Sequence, residues 1–178
     1  MRRLSIVLSL VVVVLVAGVA VVSAQDINVN YVPGTDFSKF KTYHWVEIPG
    51  AIHPNQIVDG QIRVAIDKTL ATKGFTKATG DSADLAIDYQ AAVTQEKEWS
   101  AYGMGRGYRM GGGMGTATST TINVGTLVLD MYDEAAKQLV WKGQATKTLN
   151  PSKDPEKNQE RLEKAMAKLL KDFPPKKK

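Results

Sequence analysis

From Gly125 to Thr148 apolar and polar positions alternate residue by residue. Leu127, Leu129 and Met131 interleave with Val128, Asp130 and Tyr132, and Leu139, Trp141, Gly143 and Ala145 interleave with more polar neighbours. The pattern predicts two strands joined by a turn over Asp133 to Gln138, a turn without the glycine that eases a positive backbone angle. Such a hairpin has one apolar face that needs a cover, and Trp141 is expected to anchor it from within.

The same alternation marks a strand at Ile27, Val29 and Tyr31 ending at Pro33-Gly34, and a long one from Ala83 to Val93 with Leu85, Ile87, Tyr89, Ala91 and Val93 on one side. Asp84, Asp88, Gln90 and Thr94 face the other way, so one face is expected to be buried and one wet. Gln95 to Trp99 extends this strand past the helical layer, leaving Glu96, Lys97 and Glu98 in water. Phe37 and Phe40 lead through a turn into a short strand over Lys41 to Val46, with Tyr43 and Trp45 as core aromatics. Phe75 opens another short strand. Helical periodicity appears twice. Ile57, Val58, Ile62, Ala65, Ile66 and Leu70 form one stripe, with Asp59, Arg63, Asp67 and Lys68 opposite and Gly74 at C′. Leu162, Ala165, Met166, Leu169 and Phe173 form the other, with Asp154 as N-cap, Pro155 at N1, and Pro174-Pro175 as the stop. Ile122 and Val124 lie in the opposite parity to Leu127, Leu129 and Met131, which predicts a bulge at Gly125 or Thr126. The order ββαββββα predicts an α+β two-layer sandwich: a mostly antiparallel sheet with both helices on one face.

Ahead of this stands Arg2-Arg3, an uncharged run from Leu4 to Val22, and the small residues Ser23-Ala24. That is the form of a signal peptide over residues 1–24, cleaved after Ala24 and exporting the rest to the periplasm or the outer membrane. The run is also close to bilayer length, so an uncleaved leader tethering the chain to the inner membrane is the rival reading. The 178 residues thus divide into a leader and one domain, 25–178, with a flexible glycine-rich loop at 102–115 and a basic tail at 174–178. Without Arg2 and Arg3 the 23 basic residues become 21 against 18 acidic ones, a balance of +3 concentrated in the lysine tail. So mild a surplus does not indicate nucleic-acid binding. There is no cysteine, so neither a disulfide nor a lipid anchor through cysteine is expected, Gln25 standing at the cleavage point.

Several pieces together resemble the domain of unknown function 4136 family of bacterial envelope proteins, many of them lipoproteins. They are Asp36-Phe37, Phe40-Lys41-Thr42-Tyr43-His44-Trp45, Ala83-Asp84-Leu85, Gly125-Thr126-Leu127, Leu139-Val140-Trp141 and Phe173-Pro174-Pro175, spanning nearly the whole chain after the leader. The resemblance implies an envelope location and a fold, and no established activity. Two departures stand out: Gln25 replaces the lipidation cysteine of many members, and Lys137 stands where the hairpin turn often has glycine.

No constellation of catalytic residues is visible, and the chain is expected not to be an enzyme and to carry no cofactor. The motifs G-x-S-x-G and G-x-x-x-x-G-K-[ST] are absent. His44 is expected in a strand and His53 in an exposed loop, with no cysteine to complete a zinc site. Asp84 and Asp88, about 13 Å apart at about 3.3 Å per residue, and Asp130 with Asp133, read as solvated surface. The stretch Tyr102 to Gly115 holds seven glycines. It is either a disordered connection, a soft Cu(I) site through Met104, Met110 and Met114, or a contact surface. In the last case Arg106, Tyr108 and Arg109 would meet an envelope protein, an anionic glycan or a lipid headgroup. Two functions follow: a non-catalytic envelope binding or structural module, or a periplasmic protein that holds a small ligand or metal in a helix–sheet pocket or in this loop.

Overall fold

The computed structural model of the chain describes residues 25–80, 82–101 and 117–176. In chain order the elements are β1 (Asp26–Tyr31), a 3-10 turn (Phe37–Lys39), β2 (Thr42–Trp45), α1 (Gln56–Thr72) and β3 (Thr76–Lys77). Then follow β4 (Leu85–Ala101), β5 (Ala117–Asp133), β6 (Gln138–Thr148) and α2 (Pro155–Leu169). The six strands form one mixed sheet in the spatial order β1-β6-β5-β4-β2-β3. Pairings from β1 through β4 are antiparallel, while β2 runs parallel to both β4 and β3. The α+β sandwich and its ββαββββα order are those the periodicity predicts.

Local chemistry sets the helix ends. The Asn55 side chain accepts the Val58 amide at 3.1 Å, and Asp154 accepts that of Glu156 at 3.0 Å, each filling an orphan donor of a first turn. Gly74 closes α1 at φ +83°, where a Cβ would be disfavoured. The sheet then buries its odd-numbered row: Tyr43, Leu85, Ile87, Tyr89, Leu127, Leu129, Met131, Trp141 and Ala145 meet Ile62, Ala65, Ile66 and Leu70 of α1, and Met166 and Leu169 of α2. Phe37, Phe75 and Trp141 all stack within about 6 Å of the Phe173 ring, closing the core at one end. Trp141 is 1% exposed, the inward anchor expected of it.

Three expectations need correction. Pairing runs without interruption through Gly125 and Thr126 on both sides of β5, so the expected bulge there is absent. No change of buried parity is required, because Ile122 and Val124 belong to the sheet's other face and Gly125 occupies the helix side. There the Leu149 side chain fills the space a Cβ would take, 2.8 Å from its ideal position. The register shift lies instead between Met131 and Tyr132, opposite β6. Ile57, assigned to the buried stripe of α1, is 76% exposed, since the stripe facing the sheet starts effectively at Val58 and Ile62. Asp88 and Asp130 on the sheet's far face, and Asp133 at the end of β5 beside Leu85 on the helix side, are buried where solvated carboxylates were expected.

Candidate functional site

The acidic residues divide into clamps and an open cluster. Asp84 takes hydrogen bonds from the Lys41 and Thr42 amides and from Thr42 Oγ1, at 2.7, 2.8 and 2.9 Å on one oxygen. Those two amides hold its carboxyl below the usual carboxylate range. Asp133 accepts Lys39 Nζ at 2.6 Å and the amides of Ala135 and Ala136, and is held low for the same kind of reason, the lysine leading. Asp67 gathers the Tyr43 hydroxyl, Trp45 Nε1 and Lys77 Nζ, each at 2.9 Å. These carboxylates stitch strand ends to helices and turns, and each is surrounded by donors already engaged.

The open cluster lies where the 46–55 connection passes the edge of β4. Two backbone bonds bracket it, Val46 N–H to Ile87 O at 2.9 Å and Ala91 N–H to Ile52 O at 2.8 Å. Between them a cleft of about 600 Å³ opens, lined by Glu47, Ala51, His53, Gln56, Asp59 and Arg63 among others. His53 is partly buried here, correcting its expected place in an exposed loop. Its ring stands edge-on to Tyr89, 4.9 Å between centroids, because Pro54 and the Asn55 cap turn the chain into α1 at that point. Nδ1 lies 3.7 Å from Asp59 Oδ1 and Nε2 lies 3.8 Å from Asp88 Oδ1, both too long for hydrogen bonds.

Asp59 is the satisfied partner: it accepts the Tyr89 hydroxyl and, at 3.1 Å on both oxygens, Arg63 Nε. Burial pushes its carboxyl up, but Tyr89, Arg63 and His53 outweigh that and leave it below the usual range. Arg63 in turn lies over the Trp45 ring at 4.7 Å and the Tyr89 ring at 5.7 Å. Asp88 is the unsatisfied one. It is 1% exposed and neither oxygen has a hydrogen-bond partner, although the Tyr89 and Ile48 amides are nearby. Burial pushes its carboxyl up. Asp130 stands directly opposite on β5, held by Lys142 Nζ at 2.9 Å. The arrangement can hold a polar ligand. Among the described residues no group of His, Cys, Asp or Glu converges as metal ligands do.

Sequence reasoning missed Asp59, Arg63 and Asp88 as a cluster, since 47–55 reads only as a connection. His44 lies in β2 as expected, buried, its Nε2 3.5 Å from Glu134 Oε2. Met104, Met110, Met114, Arg106, Tyr108 and Arg109 lie outside the described residues.

The second candidate is a projecting arm. β6 ends at Thr148 opposite Val124, and β2 pairs with β4 only over Leu85 to Ile87. Residues 95–101 of β4 and 117–123 of β5 therefore pair only with each other among the described strands, over about 23 Å at about 3.3 Å per residue. The apolar core ends before it: Val93, on the helix side of β4, is 63% exposed, and Gln95 to Glu98 are exposed as well.

Among the described residues these features define a two-helix, six-stranded α+β sandwich with aromatic core anchors and carboxylate clamps at its strand ends. The chain belongs to the family described as Domain of unknown function (DUF4136), which it matches over residues 27–175. A PDZ domain protein from Parabacteroides distasonis is similar in structure at a TM-score of 0.56 and 16% identity, over 86% of this chain. The likeness spans 37% of that protein's length and shows the fold alone. A PelC dodecamer from Paraburkholderia phytofirmans aligns at a TM-score of 0.49 and 15% identity, over 83% of this chain and 95% of its own. No curated protein matches the chain in sequence.

Proposed function

We propose that the chain is a non-catalytic module of the cell envelope that acts by contact, with the β4–β5 arm as its docking element. The arm carries this reading. A two-stranded ribbon has marginal stability by itself and presents two rows of unpaired backbone groups. Gln95 to Glu98 and Ser119 to Thr121 are exposed, so holding the core together does not account for these parts of the arm. The carboxylates that could have suggested chemistry, Asp67, Asp84 and Asp133, are engaged in backbone and helix attachments. Export follows from the leader-like residues 1–24. Among the described residues no helix is long and apolar enough to cross a membrane.

The test is an arm-shortened variant in which residues 97–121 are replaced by a two-residue turn. Affinity capture from envelope extracts is expected to lose a partner seen with the full chain while the melting temperature stays unchanged. An identical set of partners would refute the reading. The cleft beside His53 favours a second function, binding of a small polar ligand, because His53 lines it and its buried Nδ1 has no hydrogen-bond partner. A ligand of that cleft would raise the melting temperature of the full chain and not that of His53→Ala.

A further inference from the structure

The two edges of the arm differ in a way that names what pairs with them. The β4 edge carries Glu96, Lys97 and Glu98 in succession, the device by which exposed strands repel additional strands. The β5 edge reads Ala117-Thr118-Ser119-Thr120-Thr121-Ile122-Asn123, with no charge, proline or glycine, and is rich in the β-branched residues that favour strands. One edge is guarded and the other is open.

Backbone direction on that open edge follows from a single bond. The Leu149 amide donates to the Asn123 carbonyl at 2.7 Å, so the Asn123 backbone points away from β4. By the alternation of an antiparallel ladder, the N–H and C=O groups of Ser119 and Thr121 point the same way. No strand among the described residues pairs with them. We propose that this edge is completed by the same edge of a second copy, the two strands running antiparallel about Thr120. The proposal rests on the arm being the docking element.

A second copy is favoured over another strand because the edge is complementary to itself. Thr118 to Ile122, the stretch clear of the Leu149 contact, centres on Thr120. Antiparallel pairing there sets Ser119 of each copy opposite Thr121 of the other as hydrogen-bonded pairs. Thr120 meets its own counterpart as a non-hydrogen-bonded pair, and no like charges face each other. The pairing is two-fold and therefore closed: the four-stranded ribbon it makes has the charged β4 edge on both outer sides, which stops growth at two copies.

The absence of cysteine makes the register testable. In a non-hydrogen-bonded pair the Cα atoms lie about 4.5 Å apart, within the range a disulfide spans. Full-length chain lacking only the leader and carrying Thr120→Cys is expected to give a disulfide-linked dimer under mild oxidation. It should form at least about tenfold faster than the dimer of Glu98→Cys on the guarded edge, since only the first register holds the sulfurs at bonding geometry. Thr121→Pro removes an outward N–H and leaves the β4 ladder intact, so light scattering should show a monomer with an unchanged melting temperature where the parent is a dimer. Equal cross-linking rates, or a parent chain that stays monomeric at the highest attainable concentration, would overturn self-pairing. If that happens while arm shortening still removes a captured partner, the arm remains the docking element for a different strand; if arm shortening changes nothing, the reading beneath it falls as well.

Discussion

Gly143 lies in β6 beneath the Trp141 indole, and its missing side chain is what lets that ring lie flat along the strand. A Cβ built there would stand 2.3 Å from Trp141 Cη2, and 2.9 Å from both Trp141 Cζ3 and Leu169 Cδ1. Ordinary carbon contacts begin near 3.5 Å, so the indole would have to move by more than about 1 Å. Phe173 blocks one direction at 5.2 Å between centroids, and Leu169 of α2, 1% exposed, blocks another. Gly143→Ala should therefore cost about 2–3 kcal/mol, the overpacking penalty of a closed core. For a chain of this size that is a fall of roughly 5–10 °C in melting temperature. The sign is informative, because Gly→Ala at an open strand position stabilises by about 0.4–1 kcal/mol. Urea unfolding of the parent, Gly143→Ala, Trp141→Phe and the double variant would measure the coupling directly. The smaller ring leaves room for the methyl, so the loss from Gly143→Ala should at least halve in the Trp141→Phe background. A neutral or stabilising Gly143→Ala, or strict additivity of the pair, would refute this packing argument.

Other perturbations probe the clamps, the turn and the buried acid. Asp84→Ala leaves the Lys41 and Thr42 donors without their acceptor and should cost about 2–4 kcal/mol in urea unfolding. The Asp84 carboxyl is depressed, so its contribution is complete above the unfolded carboxylate value of about 3.9 and is lost as pH falls through the lower folded value. The gap between parent and Asp84→Asn should accordingly be widest near neutrality and shrink in acid, and a gap independent of pH would count against the clamp. Asp88 has the opposite sign: its raised value means that ionisation opposes folding, so Asp88→Asn should raise the melting temperature at neutral pH and lose that advantage toward acid. A fall at neutral pH that vanishes in acid would show instead that the buried carboxylate is needed ionised. Lys137 holds φ +52° in the β5–β6 turn, so Lys137→Gly should be neutral or stabilising by up to about 1 kcal/mol and Lys137→Val destabilising by more than that, measured by melting.

The architecture was legible because both helices and the long strands carry a strict period over ten or more residues, and because Asn55 apart, the caps announce themselves. Asp154 and Pro155 start α2, and Gly74 ends α1, where the sequence says they should. The bulge was misplaced for a physical reason: a change of apolar parity reads as a kink in one strand, yet here it marks the point where β6 stops and the ribbon's other face takes over the apolar residues. Lys137 illustrates the reverse. The absence of a glycine from this turn was visible in sequence, and the structure shows that lysine simply takes up the left-handed conformation there. The candidate cluster was illegible because its members come from a connection, a helix flank and both faces of one strand. Asp59 and Arg63 sit on the polar side of α1, and no periodicity says that this side meets Tyr89 and Trp45 at the sheet edge.

The residues that carry the family likeness can now be read by what they touch. Asp36 caps the turn that sets Phe37 against Phe173, Asp84 receives the amides of Lys41 and Thr42, and Trp141 closes the core above Gly143. These three specify the sandwich and lie outside the cleft and the arm, while Trp45, from another of the pieces, lies under the Arg63 guanidinium that lines the cleft. The family likeness thus speaks for the frame, and residues outside those pieces are candidates for function. The His53 cluster and the Ala117–Asn123 edge are two such sets. They are separable by experiment because Ala91 and Val93 already mark the limit of the apolar core between them. Substitutions at Thr120 or Thr121 should leave a ligand-induced melting shift at the cleft untouched, and His53→Ala should leave the Thr120→Cys cross-link untouched. Cross-talk in either direction would mean that the arm and the 46–55 connection move as one unit, which the separate hydrogen-bond sets of the two regions argue against.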